Sequence, residues 1–258
     1  MTNPDPERPS FFEKALSWVP FVLSAGLVAT AIHLSIRRPI LGFVLAELAL
    51  VLIAPQLLQR RKLRRVLRSG DVNAVLAAWE TSVDRLQHPE TMAPLITATA
   101  LAAHGLGERA RRALTLARRG PVWEAAIEQR LVLDTFLSVF DGDAERGMET
   151  AAALERLPLP APPFLRGRVQ GLRAAMGAFA RAFAHRSALK DLGTLKSAAK
   201  QNPLIYWAMH YAAAVASIDH GEPAEAARLL ARAPRWPADS AFAAFHEEIA
   251  AHASASKA

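Results

Sequence analysis

A glycine turn between alanine-rich stretches decides the fold of this chain, and it is clearest in two places. Residues 101–110 read LAAHGLGERA, and residues 214–226 read AVASIDHGEPAEA. Alanine and leucine favour helices, whereas glycine adopts the positive φ angle that joins antiparallel helices at no steric cost. Each stretch therefore predicts the end of one helix, a tight turn and the start of the next helix.

The same turn recurs along the chain. Its glycines are Gly70, Gly105, Gly142 and Gly221. The spacings are 35, 37 and 79 residues, and the last corresponds to about two periods. The missing turn falls near Arg186, where a residue other than glycine must make it. A fixed period of this length indicates a helical repeat array.

The helix that follows each turn carries a regular order of side-chain sizes. Five residues after the glycine stand the small or β-branched side chains of Val75, Ala110, Gly147 and Ala226. Nine residues after it stand Trp79, Leu114, Ala151 and Leu230. Small side chains allow two helices to approach closely, and the larger ones beside them act as knobs. We therefore expect the small positions to be buried where two helices touch.

This order and period resemble the tetratricopeptide repeat (TPR) family over about residues 56–235. The resemblance implies an all-α solenoid of about five helix pairs with a C-terminal capping helix, and it says little about the ligand. The expected helices are residues 71–86, 91–104, 107–119, 122–140, 143–157, 164–184, 187–201, 204–219, 222–233 and, as the cap, 239–252. The chain departs from the family in the turn near Arg186 and in a proline-rich break from Pro158 to Pro163.

The composition argues against several classes of function. The 258 residues include no cysteine, which removes disulfides, thiolate metal sites and cysteine nucleophiles. The formal net charge is +7, but residues 70–258 hold 21 Lys/Arg against 20 Asp/Glu, so the basic excess lies in residues 1–69. A nucleic-acid-binding domain needs a basic face of its own, and we expect no nucleic-acid partner.

Two apolar runs predict a transmembrane helical hairpin over residues 18–58, between an N-terminal tail of residues 1–17 and a repeat domain of residues 59–258. The runs extend from Trp18 to Ile36 and from Ile40 to Leu58. About 19 helical residues span about 28 Å, close to the thickness of the bilayer hydrocarbon. Two alternatives stay open: a buried hairpin of a soluble protein, and a cleaved signal peptide in the first run.

One charged residue, Glu47, interrupts the second apolar run. A carboxyl group at that depth must be protonated or hydrogen-bonded, and Thr30 of the first run lies at about the same depth. The pair is either satisfied within the hairpin or makes an intramembrane contact with another protein. The second interpretation leads to an alternative function, an accessory subunit of a membrane transporter or enzyme complex.

Six basic residues follow the second apolar run and predict the orientation of the hairpin. They are Arg60, Arg61, Lys62, Arg64, Arg65 and Arg68. The positive-inside rule keeps this cluster in the cytoplasm, because the hairpin tip carries only Arg37 and Arg38. Both termini are then cytoplasmic, and we expect a bacterial inner membrane. The same cluster can rest on anionic lipid headgroups.

No catalytic or cofactor motif is apparent, so we expect a non-enzymatic protein without a cofactor or metal. His246 and His252 flank two glutamates, but they are six residues apart, whereas the zinc-protease motif needs a spacing of four. The segment Asp141-Gly142-Asp143 lacks the further ligands of an EF-hand loop. The chain contains no Walker loop, nucleophile elbow or dinucleotide-binding fingerprint.

The first helices of the repeat pairs are expected to line a concave face that binds the partner. Projection of the repeat frame places on that face Gln129, Phe136, Arg173, Met176 and Tyr211. Arg173 and Gln129 are suited to bind a carboxylate or a peptide backbone. The alternative is that many of these residues are ordinary core between helices. The expected function is a membrane-anchored adaptor that binds a protein or peptide at the cytoplasmic face.

Overall fold

The computed structural model describes residues 54, 58–59, 61–83, 86–160 and 162–255. Residues Lys62–Ala258 form one compact unit. Every regular element in the described part of the chain is helical, which confirms the all-α prediction. The predicted hairpin, including Thr30 and Glu47, lies outside the described residues except at positions 54 and 58. Within the described ranges, none of the helices combines the length and the apolar character that crossing a bilayer requires.

Ten α-helices follow one another within these ranges. They are α1 (Val72–Val83), α2 (Pro89–Ala103), α3 (Gly107–Ala117), α4 (Ile127–Phe140), α5 (Ala144–Arg156), α6 (Pro163–Phe183), α7 (Leu189–Gln201), α8 (Tyr206–Asp219), α9 (Pro223–Leu230) and α10 (Ala241–Ala255). Residues 61–68, ahead of α1, are also helical, and Pro203–Ile205 forms a short 3₁₀ turn ahead of α8. The helices agree with those that the repeat pattern predicts, apart from small differences at their ends and a late start of α4.

Helix α4 begins at Ile127, whereas the repeat pattern predicts a start at residue 122; residues 121–126 form turns instead. Arg130 holds these turns in place. Its guanidinium lies over the Trp123 ring at 4.4 Å and donates a hydrogen bond to the Trp123 carbonyl oxygen at 3.3 Å. A cation–π contact near the surface contributes about 0.5–1 kcal/mol, which favours the turns over a further turn of helix.

The turns between paired helices contain a residue with a positive φ angle, as the glycine pattern predicts. The φ angles lie between 75° and 79° at Gly70, Gly105, Gly142 and Gly221. The turn after α6 lacks glycine, and there His185 adopts a φ of 54°. This turn, the fourth along the chain and predicted near Arg186, therefore places a histidine in the left-handed region that glycine normally occupies.

The small positions of the second helices are buried, which confirms their predicted packing role. Val75, Ala110 and Ala226 are fully buried. At the remaining such position, Gly147, a β-carbon would lie 2.8 Å from the Val139 side chain. Real β-carbons do not approach other atoms that closely, so the contact between α5 and α4 requires glycine or a shift of the helices.

Two sets of helix contacts build the array. Helices that share a turn pack against each other, and the first helices of successive pairs, α2, α4, α6 and α8, also pack in order, with α10 next to α8. These first helices form a continuous layer, and each remaining helix packs on one or two members of it. The described part of the chain is therefore an all-α, solenoid-like array.

The last helices bring the two ends of this array together. The backbone N–H of Ala241 donates to the Gly105 carbonyl oxygen at 2.9 Å. Trp207 on α8 donates its indole N–H to the Arg68 carbonyl oxygen at 2.8 Å. These bonds join the first turns of the array to its last helices. The layer of first helices consequently encloses a core instead of presenting an open concave face.

Candidate functional site

An aromatic cluster fills the interior of the array. Its members are Phe136, Phe140, Phe179, Phe183, Tyr211, Trp236, Phe242 and Phe245. The rings of Phe136 and Phe179 meet edge to face with centroids 5.0 Å apart, and Tyr211 stacks on Phe242 at 4.6 Å. Such pairs contribute about 0.5–1.5 kcal/mol beyond the area that they bury. Because Phe242 and Phe245 belong to α10, the last helix supplies part of the core.

Three residues that the repeat frame places on a partner-binding face lie in this core. Phe136, Met176 and Tyr211 are fully buried. The repeat frame places these three side chains on an exposed face, whereas the structure buries them in the core. The repeat frame identifies which side of each helix points inward, but it does not show that the last helix of the chain covers that side. These side chains stabilise the array by packing.

The Tyr211 hydroxyl forms part of a buried hydrogen-bond chain. The Trp236 indole N–H donates to it at 2.7 Å, and the hydroxyl hydrogen-bonds His246 Nδ1 at 3.1 Å. Burial raises the pKa of Tyr211 well above its usual range, so the phenol stays neutral and can donate its proton to the histidine. The chain of bonds ties α10 to α8, which is a structural role.

Arg173, expected to bind a carboxylate of the partner, is also buried, with only 4% of its surface exposed. Its guanidinium donates to the carbonyl oxygens of Leu157 at 2.6 Å and Pro158 at 3.1 Å. Its Nε donates to the Glu128 carboxylate at 3.2 Å. The planar guanidinium suits several acceptors at once. Arg173 therefore fastens the proline-rich break between α5 and α6 to α4, and its placement on an exposed face is corrected.

Gln129 differs from these four residues because it is exposed. It lies near the start of α4, at the edge of a groove with a volume of about 630 Å³. The groove is predominantly apolar, and its larger apolar lining side chains are Leu63, Leu76, Trp79, Leu86, Leu95, Ile96 and Leu204. Gln129 is therefore the one residue of the five predicted for the concave face that a partner can reach.

Two helices form the walls of this apolar groove. Leu76 and Trp79 lie three residues apart on α1, and Ala93 and Ile96 have the same spacing on α2. Residues at this spacing share a helix face. Each wall is therefore a short apolar stripe on one side of a helix.

Residues from outside these two helices complete the groove. Leu63 comes from the helical segment 61–68, and Leu204 comes from the 3₁₀ turn ahead of α8. Glu80 is the one charged side chain among the residues that line the groove in the described ranges. An apolar recess with few polar groups is typical of sites that bind apolar ligands or side chains.

The repeat pattern does not predict this groove, although α1 carries a signal for it. Trp79 stands at a knob position and is expected to be buried, whereas it is half-buried. Helix α1 has one apolar stripe, formed by Val72, Val75, Leu76 and Trp79; its valines are buried, whereas Leu76 and Trp79 are half-buried. The equivalent residues Leu114, Ala151 and Leu230 are smaller and buried, so the large side chain of Trp79 is the signal for the groove in the sequence.

Exposed basic side chains accompany Leu63 on the segment of residues 61–68. They are Arg61, Lys62, Arg64 and Arg65. Arg60, which belongs to the same predicted cluster, lies outside the described residues. Long basic side chains on an exposed helix are available to acidic groups of a partner or to anionic lipid.

Arg68 departs from the rest of the basic cluster. It is half-buried, and its guanidinium lies over the Tyr206 ring at 4.7 Å. Its carbonyl oxygen accepts the Trp207 bond that closes the array. Arg68 therefore also packs within the array, and its expected position at a membrane surface stays a prediction.

The histidines near the C-terminus have roles within the fold. His246 hydrogen-bonds Tyr211, and His252 Nδ1 hydrogen-bonds the Glu248 carbonyl oxygen at 2.9 Å. Nowhere in the described ranges do three or more His, Asp or Glu side chains gather closely enough to hold a metal ion.

Comparisons of the chain with protein-family models, with curated proteins and with solved structures found no match. The function is therefore inferred from the apolar groove, the basic segment and the helical array.

Proposed function

We propose that this protein is a non-enzymatic, membrane-anchored adaptor whose TPR-like array binds an amphipathic helix of a partner protein at the cytoplasmic face. The observation that carries the proposal is the apolar groove of about 630 Å³ beside an exposed basic helix. A groove of this kind suits binding, and its lining offers no nucleophile paired with a base.

The shape of the groove favours a helix as its occupant. Its two walls present apolar side chains at a spacing of three residues, and a partner helix offers anchors at three- and four-residue spacings. Sites of about 300–1,000 Å³ hold a ligand the size of several side chains. The groove is therefore large enough for two or three apolar anchors from one helix face.

The charges around the groove favour an acidic flank on that helix. Lys62 and Arg64 flank Leu63, and both are exposed. Acidic residues beside the apolar face of the partner would meet these cations, whereas a neutral helix would gain nothing from them. Basic side chains that the partner leaves free can rest on anionic headgroups, at about 1 kcal/mol for each one near the surface.

The sequence supports the membrane part of the proposal. The apolar runs of residues 18–36 and 40–58 are each long enough to span a bilayer, and the basic cluster follows directly. A reporter active only in the periplasm, fused after the last residue, should stay silent because both termini are cytoplasmic. A strong signal would place the array on the opposite side and refute the orientation.

Site-specific photo-crosslinking tests the groove. A benzoylphenylalanine at position 96 places the crosslinker inside the groove of the full chain in its native membrane. The matched control carries the crosslinker at Leu189, an apolar residue on α7 that is 70% exposed and lies outside the groove. We expect a discrete crosslinked product from position 96 alone, joined to a partner segment in which acidic residues flank an apolar helical face.

A second change shows whether such a product depends on the groove. Ala93→Glu adds a carboxylate beside Ile96, which should repel an acidic partner and remove the crosslink. Leu189→Glu adds the same charge elsewhere and should leave it unchanged. Equal products from both crosslinker positions, or a product that survives Ala93→Glu, would contradict helix binding in this groove.

The alternative function depends on Glu47 and Thr30, which lie in the apolar runs. If the protein is an accessory subunit held through the membrane, Glu47→Gln should release it from a larger complex on native gels. An unchanged complex would remove the support for this alternative and leave the adaptor proposal untouched.

A further inference from the structure

A second cavity lies where turns of the array meet the last helix. Its volume is about 270 Å³. Its lining comes from the turns after α4 and α6, from the end of α8 and from residues 245–252 of α10. The residues that line it are all different from those of the apolar groove. A site here is thus independent of the proposed adaptor function.

The floor of this cavity is apolar and aromatic. Phe183 and Phe245 lie with ring centroids 5.0 Å apart, and Ile218 and Ile249 complete the floor. Aromatic faces carry partial negative charge and attract cations within about 6 Å of the ring centre. The floor can therefore hold an apolar body and also favours positive charge above it.

Two carboxylates stand among the polar groups at the rim. Asp219 hydrogen-bonds His185 Nδ1 at 2.9 Å, and Glu248 is exposed on α10. The nearby Arg186 does not offset them, because its guanidinium pairs with Glu145 at 2.7 Å. Asp219 and Glu248 are the acidic side chains that line the cavity, and its lining within the described residues contains no lysine or arginine.

The turn at His185 supplies an observation independent of these charges. Equivalent turns use glycine, but this one keeps a histidine at a φ of 54°, a conformation that disfavours residues with a β-carbon. The histidine lines the cavity and hydrogen-bonds Asp219. His88 has the same φ of 54° but lies outside the cavity, so it is the contact of His185 with the cavity and with Asp219 that distinguishes this turn.

We propose that this cavity binds an ammonium or guanidinium group carried on an apolar body, with Asp219 and Glu248 holding the cation and Phe183 and Phe245 the apolar part. Two sources share this chemistry, a free organic amine and a basic side chain of a peptide. The rim groups are not gathered tightly enough for a metal, since the described residues contain no cluster of three potential ligands.

The test is a titration of the full chain in detergent micelles, followed through the histidine ring signals in NMR spectra. Phenethylamine is the free amine, acetyl-lysine amide represents the peptide side chain, and phenethyl alcohol is the neutral control. We expect the rings of His185 and His252 to shift with at least one of the two cationic probes and not with the alcohol. The tighter of the two identifies the source.

Variants assign the binding to the two carboxylates. Asp219→Asn and Glu248→Gln should each weaken binding about tenfold, the affinity that a charged hydrogen bond confers. Glu247→Gln, a change on the outer side of the same helix, should leave binding unchanged. The proposal is overturned if neither cation shifts these rings, if the alcohol shifts them as strongly, or if both carboxylate variants bind as the unmodified chain does.

Discussion

Substitution of Arg173 separates a structural role from a role in binding. Its guanidinium donates to the carbonyl oxygens of Leu157 and Pro158 and to the Glu128 carboxylate. Arg173→Met keeps most of the side-chain length but removes all three bonds. Arg173→Lys keeps the charge but loses the planar geometry that reaches three acceptors. If the residue fastens the proline-rich break, both variants should destabilise the array, and methionine should do so more.

The magnitude follows from the burial of the groups that lose a partner. Removal of one member of a buried charged network costs about 3–5 kcal/mol. Glu128 retains 32% side-chain exposure and can regain water, which favours the lower end of that range. We therefore expect about 3 kcal/mol for Arg173→Met and about 1.5–2 kcal/mol for Arg173→Lys. In a domain of this size, 3 kcal/mol corresponds to about 6–12 °C in Tm.

The assay is urea unfolding of the fragment spanning residues 62–258, followed by circular dichroism. Arg112→Ala is the matched control, because Arg112 is exposed and such changes stay within about 0.5 kcal/mol. Midpoints for both Arg173 variants equal to that of the control would refute the structural role. The guanidinium would then be free, and Arg173 would return to the set of residues expected to bind a partner.

Three further predictions use the same fragment. Ala110→Leu and Ala226→Leu should each cost about 1–3 kcal/mol by overpacking, and stability equal to the parent would contradict the repeat frame. The Arg181 guanidinium hydrogen-bonds Asp191 and lowers the pKa of that carboxyl. The stability that this pair contributes is present above the unfolded-state pKa of about 3.9, and it is lost as the pH falls through the lower pKa of the folded state. Asp191→Asn should therefore flatten the acid limb of stability against pH, and an unchanged limb would contradict the pair. His185→Gly should be about 1 kcal/mol more stable than His185→Ala, since only glycine relieves the positive φ, and equal melting temperatures would argue against backbone strain.

The order of helices could be predicted from the sequence because local rules set it. Gly105 and Gly221 each end one helix and allow the next to begin, because the positive φ angle that makes the turn is a local property of glycine. The small residues at Ala110 and Ala226 then fix which face of the second helix is buried. The spacing of these residues along the chain therefore predicts both where the helices end and which face is buried, and the structure agrees with both predictions.

The location of the binding surface could not be predicted in the same way, because it depends on contacts between distant residues. The Ala241 N–H reaches the Gly105 carbonyl oxygen, and Trp207 reaches Arg68. No local pattern indicates that these pairs meet. Once they do, inward positions such as Tyr211 are sealed into the core. An inward face in the repeat frame is a concave binding face only if the array stays open.

The two candidate sites lie where the sequence departs from its own pattern. Helix α1 carries Trp79 where the equivalent helices carry leucine or alanine, and this side chain stays half-buried beside the groove. The fourth turn holds His185 where glycine would relieve the backbone, and the second cavity lies there. Sequences specify a fold best when every local choice agrees with it, and departures cost stability unless the side chain serves another purpose. The regular positions of this chain therefore identify the architecture, whereas its irregular positions are the ones to test for function.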